Sequence, residues 1–148
     1  VDISGFACEF ATENAKLNHL EDRVHFVEAN AFDLLSQQSR EGVKYDVVIL
    51  DPPAFTKTRS AVASATRGYK EINLRAMKMV KPGGYLVTCS CSQHISPDAF
   101  MDIVRDAAHD AHVQLRQVEY RTQGRDHPIL PAAPETQYLK CGIFQIFD

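Results

Sequence analysis

The sequence lacks most of the features that would place a protein in a specialised class at once. No apolar run approaches the roughly 20 residues a membrane span needs, and no secretory leader is legible at the start. The four cysteines, Cys8, Cys89, Cys91 and Cys141, have neither zinc-ligand spacing nor the Cys-x-x-Cys redox pattern. They read as reduced thiols, as in a cytoplasmic protein. His19, His25, His109 and His112 show no ligand geometry, so no metal is expected. Internal repeats and low-complexity segments are absent. So is an excess of positive charge: the net charge of −3 does not advertise nucleic-acid binding, and any such role must rest on local distribution.

What is present is a 148-residue chain, 45% apolar, long enough for one domain with a real core. Residues 1–3 read as the end of a strand, with Ser4 as the N-cap of a helix running to about Asn18. Residues 24–28 read as a short strand ended by Asn30. Residues 31–38 read as a helix closed by Gly42. Tyr45–Leu50 reads as a parallel strand covered on both faces. Residues 57–66 are small and polar, which suggests a loop, and residues 69–80 a helix. Residues 81–84, Lys-Pro-Gly-Gly, suggest a turn before a buried strand over 85–90. Ser96 and Pro97 start a helix whose inner stripe is Phe100, Ile103, Val104, Ala107, Ala108 and Ala111. Residues 113–121 and 137–147 are strands joined without a helix. This order predicts an α/β, Rossmann-like architecture: a mostly parallel sheet with an antiparallel C-terminal hairpin. It resembles the fold of S-adenosylmethionine-dependent (SAM-dependent) methyltransferases.

Chemistry-bearing residues gather at the expected strand ends, where α/β sheets bind ligands. Asp51 ends an apolar strand and is followed by Pro52 and Pro53, which fix φ and stiffen the chain beyond it. Cys91 lies just past the strand in Thr88-Cys89-Ser90-Cys91-Ser92. Neighbouring strand ends would put a carboxylate and a thiol in one crevice. A thiolate there can add to carbon 6 of a pyrimidine and make carbon 5 nucleophilic, while Asp51 holds the base edge and aids proton transfer. Cys8, Cys89 and Cys141 read as core thiols, although Cys89 is also a candidate for releasing the enzyme from the base. Asp2 suits the hydroxyls of a ribose or, equally, a helix N-terminus. Asn30, with the Ala31 or Phe32 backbone N–H, suits an adenine or a plain turn. Lys57, Arg59, Arg67 and Lys70 surround the loop after Asp51, where they could meet phosphates.

Several segments then coincide in order: Asp51-Pro52-Pro53-Ala54-Phe55, Arg67-Gly68-Tyr69-Lys70-Glu71-Ile72-Asn73, Pro82-Gly83-Gly84, Ser90-Cys91-Ser92, Asp126-His127-Pro128 and Tyr138-Leu139-Lys140. Together they resemble the bacterial large-subunit ribosomal RNA cytosine-5 methyltransferase I family over nearly the whole chain. The resemblance implies methyl transfer from SAM to carbon 5 of a cytosine, with Cys91 as nucleophile and Asp51 as the acid of the catalytic motif. It implies a cofactor pocket at Asp2, Ile3, Asn30, Ala31, Phe32 and Asp51. It assigns Pro53, Phe55, Arg67, Tyr69 and Lys70 to the RNA or to positioning the catalytic loop. The partner would be large-subunit ribosomal RNA, with no membrane and no metal, and a homodimer is left open. Two departures stand out. Ala54 replaces the second cysteine that many RNA cytosine-5 methyltransferases carry. The first strand and glycine-rich loop that should precede Val1 are missing, so the chain reads as the C-terminal portion of a catalytic domain. A SAM-dependent N-methyltransferase, or a non-catalytic RNA-binding relic of the fold, would share much of this pattern.

Overall fold

Two stretches of apolar periodicity organise the structure, a computed structural model that describes residues 1–56 and 58–147. Lys57 lies outside the described residues. The chain divides into two units, Val1–Glu41 and Gly42–Asp148.

In the first unit, Ser4 caps helix α1 (Gly5–Leu17) by accepting from the Ala7 N–H at 3.3 Å. Helix α2 spans Ala31–Glu41, three residues longer than the pattern suggested. The expected strand over 24–28 is reduced to a single parallel bridge between Asp2 and Glu28, made by Asp2 N–H to Val27 O and Ala29 N–H to Asp2 O. Ser4 turns the chain into α1 two residues after Asp2, which leaves no length for a ladder.

The second unit is a four-stranded sheet with two helices. Strand β1 is Tyr45–Leu50, α3 Val62–Met79, β2 Val80–Ser90, α4 Pro97–Ala111, β3 Gln114–Arg121 and β4 Lys140–Phe147. The strand order is β1-β2-β4-β3. Only β1–β2 is parallel; β2–β4 and β4–β3 are antiparallel. The sheet is therefore mixed and not mostly parallel, because β4 inserts between β2 and β3 and so contributes two antiparallel pairings. On one face, Leu86, Thr88 and Ser90 of β2 line up with Lys140, Phe144 and Ile146 of β4, all fully or almost fully buried. Helices α3 and α4 pack on each other, and α3 packs on β1 and β2. Strand β1 is not covered on both faces as its composition suggested: Leu50 is buried, but Val47 is 49% and Ile49 66% exposed.

Helix α3 begins seven residues earlier than expected. Its buried stripe, Ala65, Tyr69, Ile72, Ala76 and Met79, already starts within the small polar stretch taken for a loop. No side chain caps it; a 3₁₀ turn at Arg59–Ala61 leads in instead. Helix α4 starts where Ser96 and Pro97 place it, with the Ser96 Oγ accepting from Ala99 N–H at 3.2 Å. It ends at His112 in the left-handed conformation, φ 57°. Its stripe is buried as expected save for Ala111, which is half-buried.

The Pro-Gly-Gly segment is not a turn between elements but an irregularity inside β2. Between the pairs Tyr45–Val80 and Val47–Tyr85 the register slips. Gly83 adopts φ 81°, which favours glycine, and a Cβ on Gly84 would sit 2.6 Å from the Asp46 carbonyl oxygen. Gly84→Ala is therefore expected to destabilise the protein by about 1–3 kcal/mol, because backbone of β1 must give way; equilibrium urea unfolding measures it.

Candidate active site

The register of the sheet sets the site. Leu50 of β1 pairs with Thr88 of β2, so Asp51, just past β1, comes level with Cys89 inside β2, and Cys91 follows just past the end of β2 at Ser90. Asp51 and Pro53 are exposed and Cys91 is half-buried. Cys91 lines a cleft of about 180 Å³ together with Ala54, Thr56, Gln93, His94 and Tyr138. That is smaller than the roughly 300–1,000 Å³ of pockets that take whole drug-sized ligands, and suits a single planar ring. Its lining alternates apolar walls with hydroxyl, amide and imidazole groups able to read a base edge. The cleft holds the thiol of the expected pair but not the carboxylate: Asp51 stands at the strand end and is not among the lining residues.

The two thiols are sorted by their surroundings. Cys89 is 8% exposed, and burial first, then a hydrogen bond with Cys141, pushes its thiol up to about 12. At neutral pH it keeps its proton and acts as a small core side chain. Cys91 opens on the cleft.

Ser92 fixes the loop that carries Cys91. It is fully buried. Its Oγ accepts from the Phe55 N–H at 3.1 Å and shares a hydrogen bond with the Tyr69 hydroxyl at 2.9 Å. Its carbonyl accepts from the Ile95 N–H at 3.1 Å and from Lys140 Nζ at 2.7 Å. The Phe55 ring lies against Tyr69, centroids 4.4 Å apart, and Tyr69 meets the edge of Phe100 at 5.8 Å. Loop, thiol, helix α3 and strand β4 are thereby tied at one residue.

Tyr69 is fully buried, so of the two parts assigned to it, holding the catalytic loop and touching RNA, only the first is open to it. Lys70 is not a free cation. Its Nζ lies 2.8 Å from Asp110 of α4; the bond raises the lysine and lowers the carboxylate, and it clasps α3 to α4. Arg59 and Arg67 are exposed and, among the described residues, no ion pair holds them. Arg75 pairs with Glu71, and Lys81 with Asp46. Of the expected basic cluster, Arg59 and Arg67 remain available among the described residues and Lys70 does not.

In the first unit the Asp2 carboxylate accepts from the Ser4 N–H at 2.8 Å, which is the helix-start role, and it is exposed, as is Ile3. Asn30 Oδ1 accepts from the Phe32 N–H at 2.9 Å. That N–H is thus already engaged, contrary to its use as an open donor to an adenine ring. Ala31 and Phe32 open α2, and Phe32 is 39% exposed.

Residues to which the sequence assigned no role matter as much. Lys140 sits at an inward position of β4 among Gly142, Phe144 and Ile146, and a lysine in an apolar alternation was a legible signal. Tyr138 lines the cleft, and His127 meets its ring at 6.1 Å, which gives the Asp126-His127-Pro128 segment a supporting part. Gln93 could not have been found: nothing in its neighbours marks it.

Comparison with known proteins bears on the family and the fold. A sequence model of the S-adenosylmethionine-dependent methyltransferase family matches residues 2–141. The "Ribosomal RNA large subunit methyltransferase I" of Shewanella frigidimarina is 45% identical over 141 residues, 95% of this chain and 36% of that protein. The protein of the same name from Erwinia tasmaniensis is 41% identical over the same shares. The chain spans about a third of the length of these relatives. Among solved structures, SMU.776 complexed with SAH superposes with a TM-score of 0.82 at 17% identity, covering 97% of this chain and 37% of that one. Trm5b from Pyrococcus abyssi gives 0.63 at 17% identity, over 99% of this chain and 36% of that one. At such identities the likeness speaks for the fold. With the family model matched over nearly its whole length, the chain belongs to the S-adenosylmethionine-dependent methyltransferase family.

Proposed function

We propose that this chain is the C-terminal portion of the catalytic domain of an enzyme that methylates carbon 5 of a cytosine in large-subunit ribosomal RNA, with Cys91 as the nucleophile. The observation that carries the reading is the opening of Cys91 onto a ring-sized cleft beside the strand end that bears Asp51. The relatives' name points to the same substrate class.

SAM supplies an electrophilic methyl group on a sulfonium. The residues expected to hold it fit in kind: the Asp2 carboxylate is exposed and keeps acceptor capacity for ribose hydroxyls beyond its bond to Ser4, and Phe32 offers an exposed ring. At the base, the Cys91 thiolate adds to carbon 6, and the pair of electrons pushed to carbon 5 takes the methyl group. Loss of the carbon 5 proton then expels the thiolate and restores the ring. Asp51 is the acid placed to hold the exocyclic edge as charge builds on the ring. Pro53 and Phe55 stiffen that wall, and exposed Arg67 is the residue of the α3 segment able to meet a phosphate. Cys89, which keeps its proton at neutral pH, takes no nucleophilic part.

An RNA carrying 5-fluorocytosine has no carbon 5 proton to lose, so full-length enzyme and SAM should trap it as a covalent adduct stable in denaturing electrophoresis. Cys91→Ser should abolish the adduct and lower 5-methylcytosine formation at least about 100-fold, some 2.7 kcal/mol of barrier; methylation at a normal rate sinks the assignment. A methylated exocyclic amine in the nucleoside mass spectrum would favour the N-methyltransferase reading.

Ser92→Ala strips partners from the Phe55 N–H and the Tyr69 hydroxyl. It should cost about 2–4 kcal/mol, against about 0.5–1.5 for Tyr69→Phe. Denaturant unfolding with a double-mutant cycle should find the two non-additive.

A further inference from the structure

Lys140 is a cation for which the core has no evident use. It lies opposite Ser90 on the helix-covered face and is fully buried. No carboxylate pairs with it among the described residues. Its Nζ donates to two carbonyls, Ser92 at 2.7 Å and Tyr138 at 2.8 Å, and an ammonium has a third proton to give. A methionine would fill this place without taking a charge out of water. Burial lowers the lysine to about 8, and the opposing attraction comes from Cys91. The other titratable groups at these strand ends, Asp51 and Cys141, act on Cys89. Cys91, which also acts on Cys89, is the charged partner whose attraction reaches this ammonium. The two carbonyl partners of Lys140 belong to segments that line the cleft: Ser92 lies between the lining residues Cys91 and Gln93, and Tyr138 lines it directly.

We propose that Lys140 is the positioning residue for Cys91: its ammonium ties the Ser92 and Tyr138 carbonyls together, holding the two lining segments to each other, and its charge attracts the Cys91 thiolate. This rests on Cys91 being the nucleophile, but it can fail separately, because thiol alkylation needs neither SAM nor RNA. A charge-assisted bond to each carbonyl weakens when the amine loses its proton. Above about pH 8 both the tie and the attraction fade.

The test is site-resolved alkylation by iodoacetamide, in which the thiolate sulfur displaces iodide and forms the carbon–sulfur bond, followed by peptide mass spectrometry from about pH 6.5 to 9.5. In Lys140→Met, Cys91 should react about tenfold more slowly at pH 7.5, with Cys8 unchanged as the internal control; Lys140→Arg, which keeps the charge, should stay within about threefold. In the wild type the Cys91 rate profile should need two ionisations to describe it, the thiol's and that of the ammonium near pH 8, and in Lys140→Met only one. A folded Lys140→Met protein with the wild-type rate and pH profile overturns the proposal. Should that variant not fold, the wild-type profile decides alone: a profile described by a single ionisation overturns it. Slowed alkylation upholds it even where carbon 5 methylation proves absent, and that absence would strike the proposed reaction instead.

Discussion

The buried hydrogen bonding of Ser92 is the constraint on which the site depends. A serine hydroxyl has one proton and two lone pairs, and here the oxygen serves a backbone amide from the Asp51 loop and a phenol from α3. Its carbonyl serves a backbone amide and an ammonium. Each partner is itself held: Tyr69 by Phe55 and Phe100, Lys140 by the ladder of β4. In a buried setting such bonds are stronger than in water, and leaving one unmade is expensive. The loop after β2 therefore has few alternative conformations, and Cys91 inherits its direction from residues on either side of it. That is how a thiol on an irregular segment acquires the rigidity normally given by a strand.

The sheet supplies the second half of the arrangement. A parallel β1–β2 pair sends both chains out at the same end, which brings Asp51 beside Cys89 and close to the thiol loop. Strand β4, running the other way, brings Lys140 and Tyr138 to that end at the start of its course. An antiparallel neighbour of β2 is thus what lets a late segment reach the chemistry of an early one. The kinked entry of β2, with Gly83 in a left-handed conformation and Gly84 against the Asp46 carbonyl, adjusts the register between β1 and β2 before the paired run to Thr88 begins.

Much of this was legible beforehand, for local reasons. Ser96 and Pro97 announce α4 because capping and a pre-set φ act within one turn. Residues Tyr45–Leu50 announce a strand because the run Val47-Val48-Ile49-Leu50, with Tyr45 ahead of it, favours extended backbone. Cys91 and Asp51 stood out because each follows an apolar strand. The start of α3 was not legible: Ala, Ser and Thr at 63–66 have little preference, and only packing of Ala65 in line with Tyr69 decides for helix. Nor was the role of Lys70, which looked like a phosphate ligand until α4 placed Asp110 against it.

The sequence by itself determined the element order, the strand-end positions of the acid and thiol, and the methyltransferase character that those motifs resemble. These follow from periodicity, capping and turn chemistry, all of which act over a few residues. Only the tertiary structure decided that Cys89 keeps its proton, where β4 inserts, that Tyr69 is buried, and that Lys140 meets Ser92. Each of those depends on groups brought together from far apart in the chain, 48 residues in the case of Lys140 and Ser92. Burial and hydrogen-bond geometry at such a meeting have no local signature.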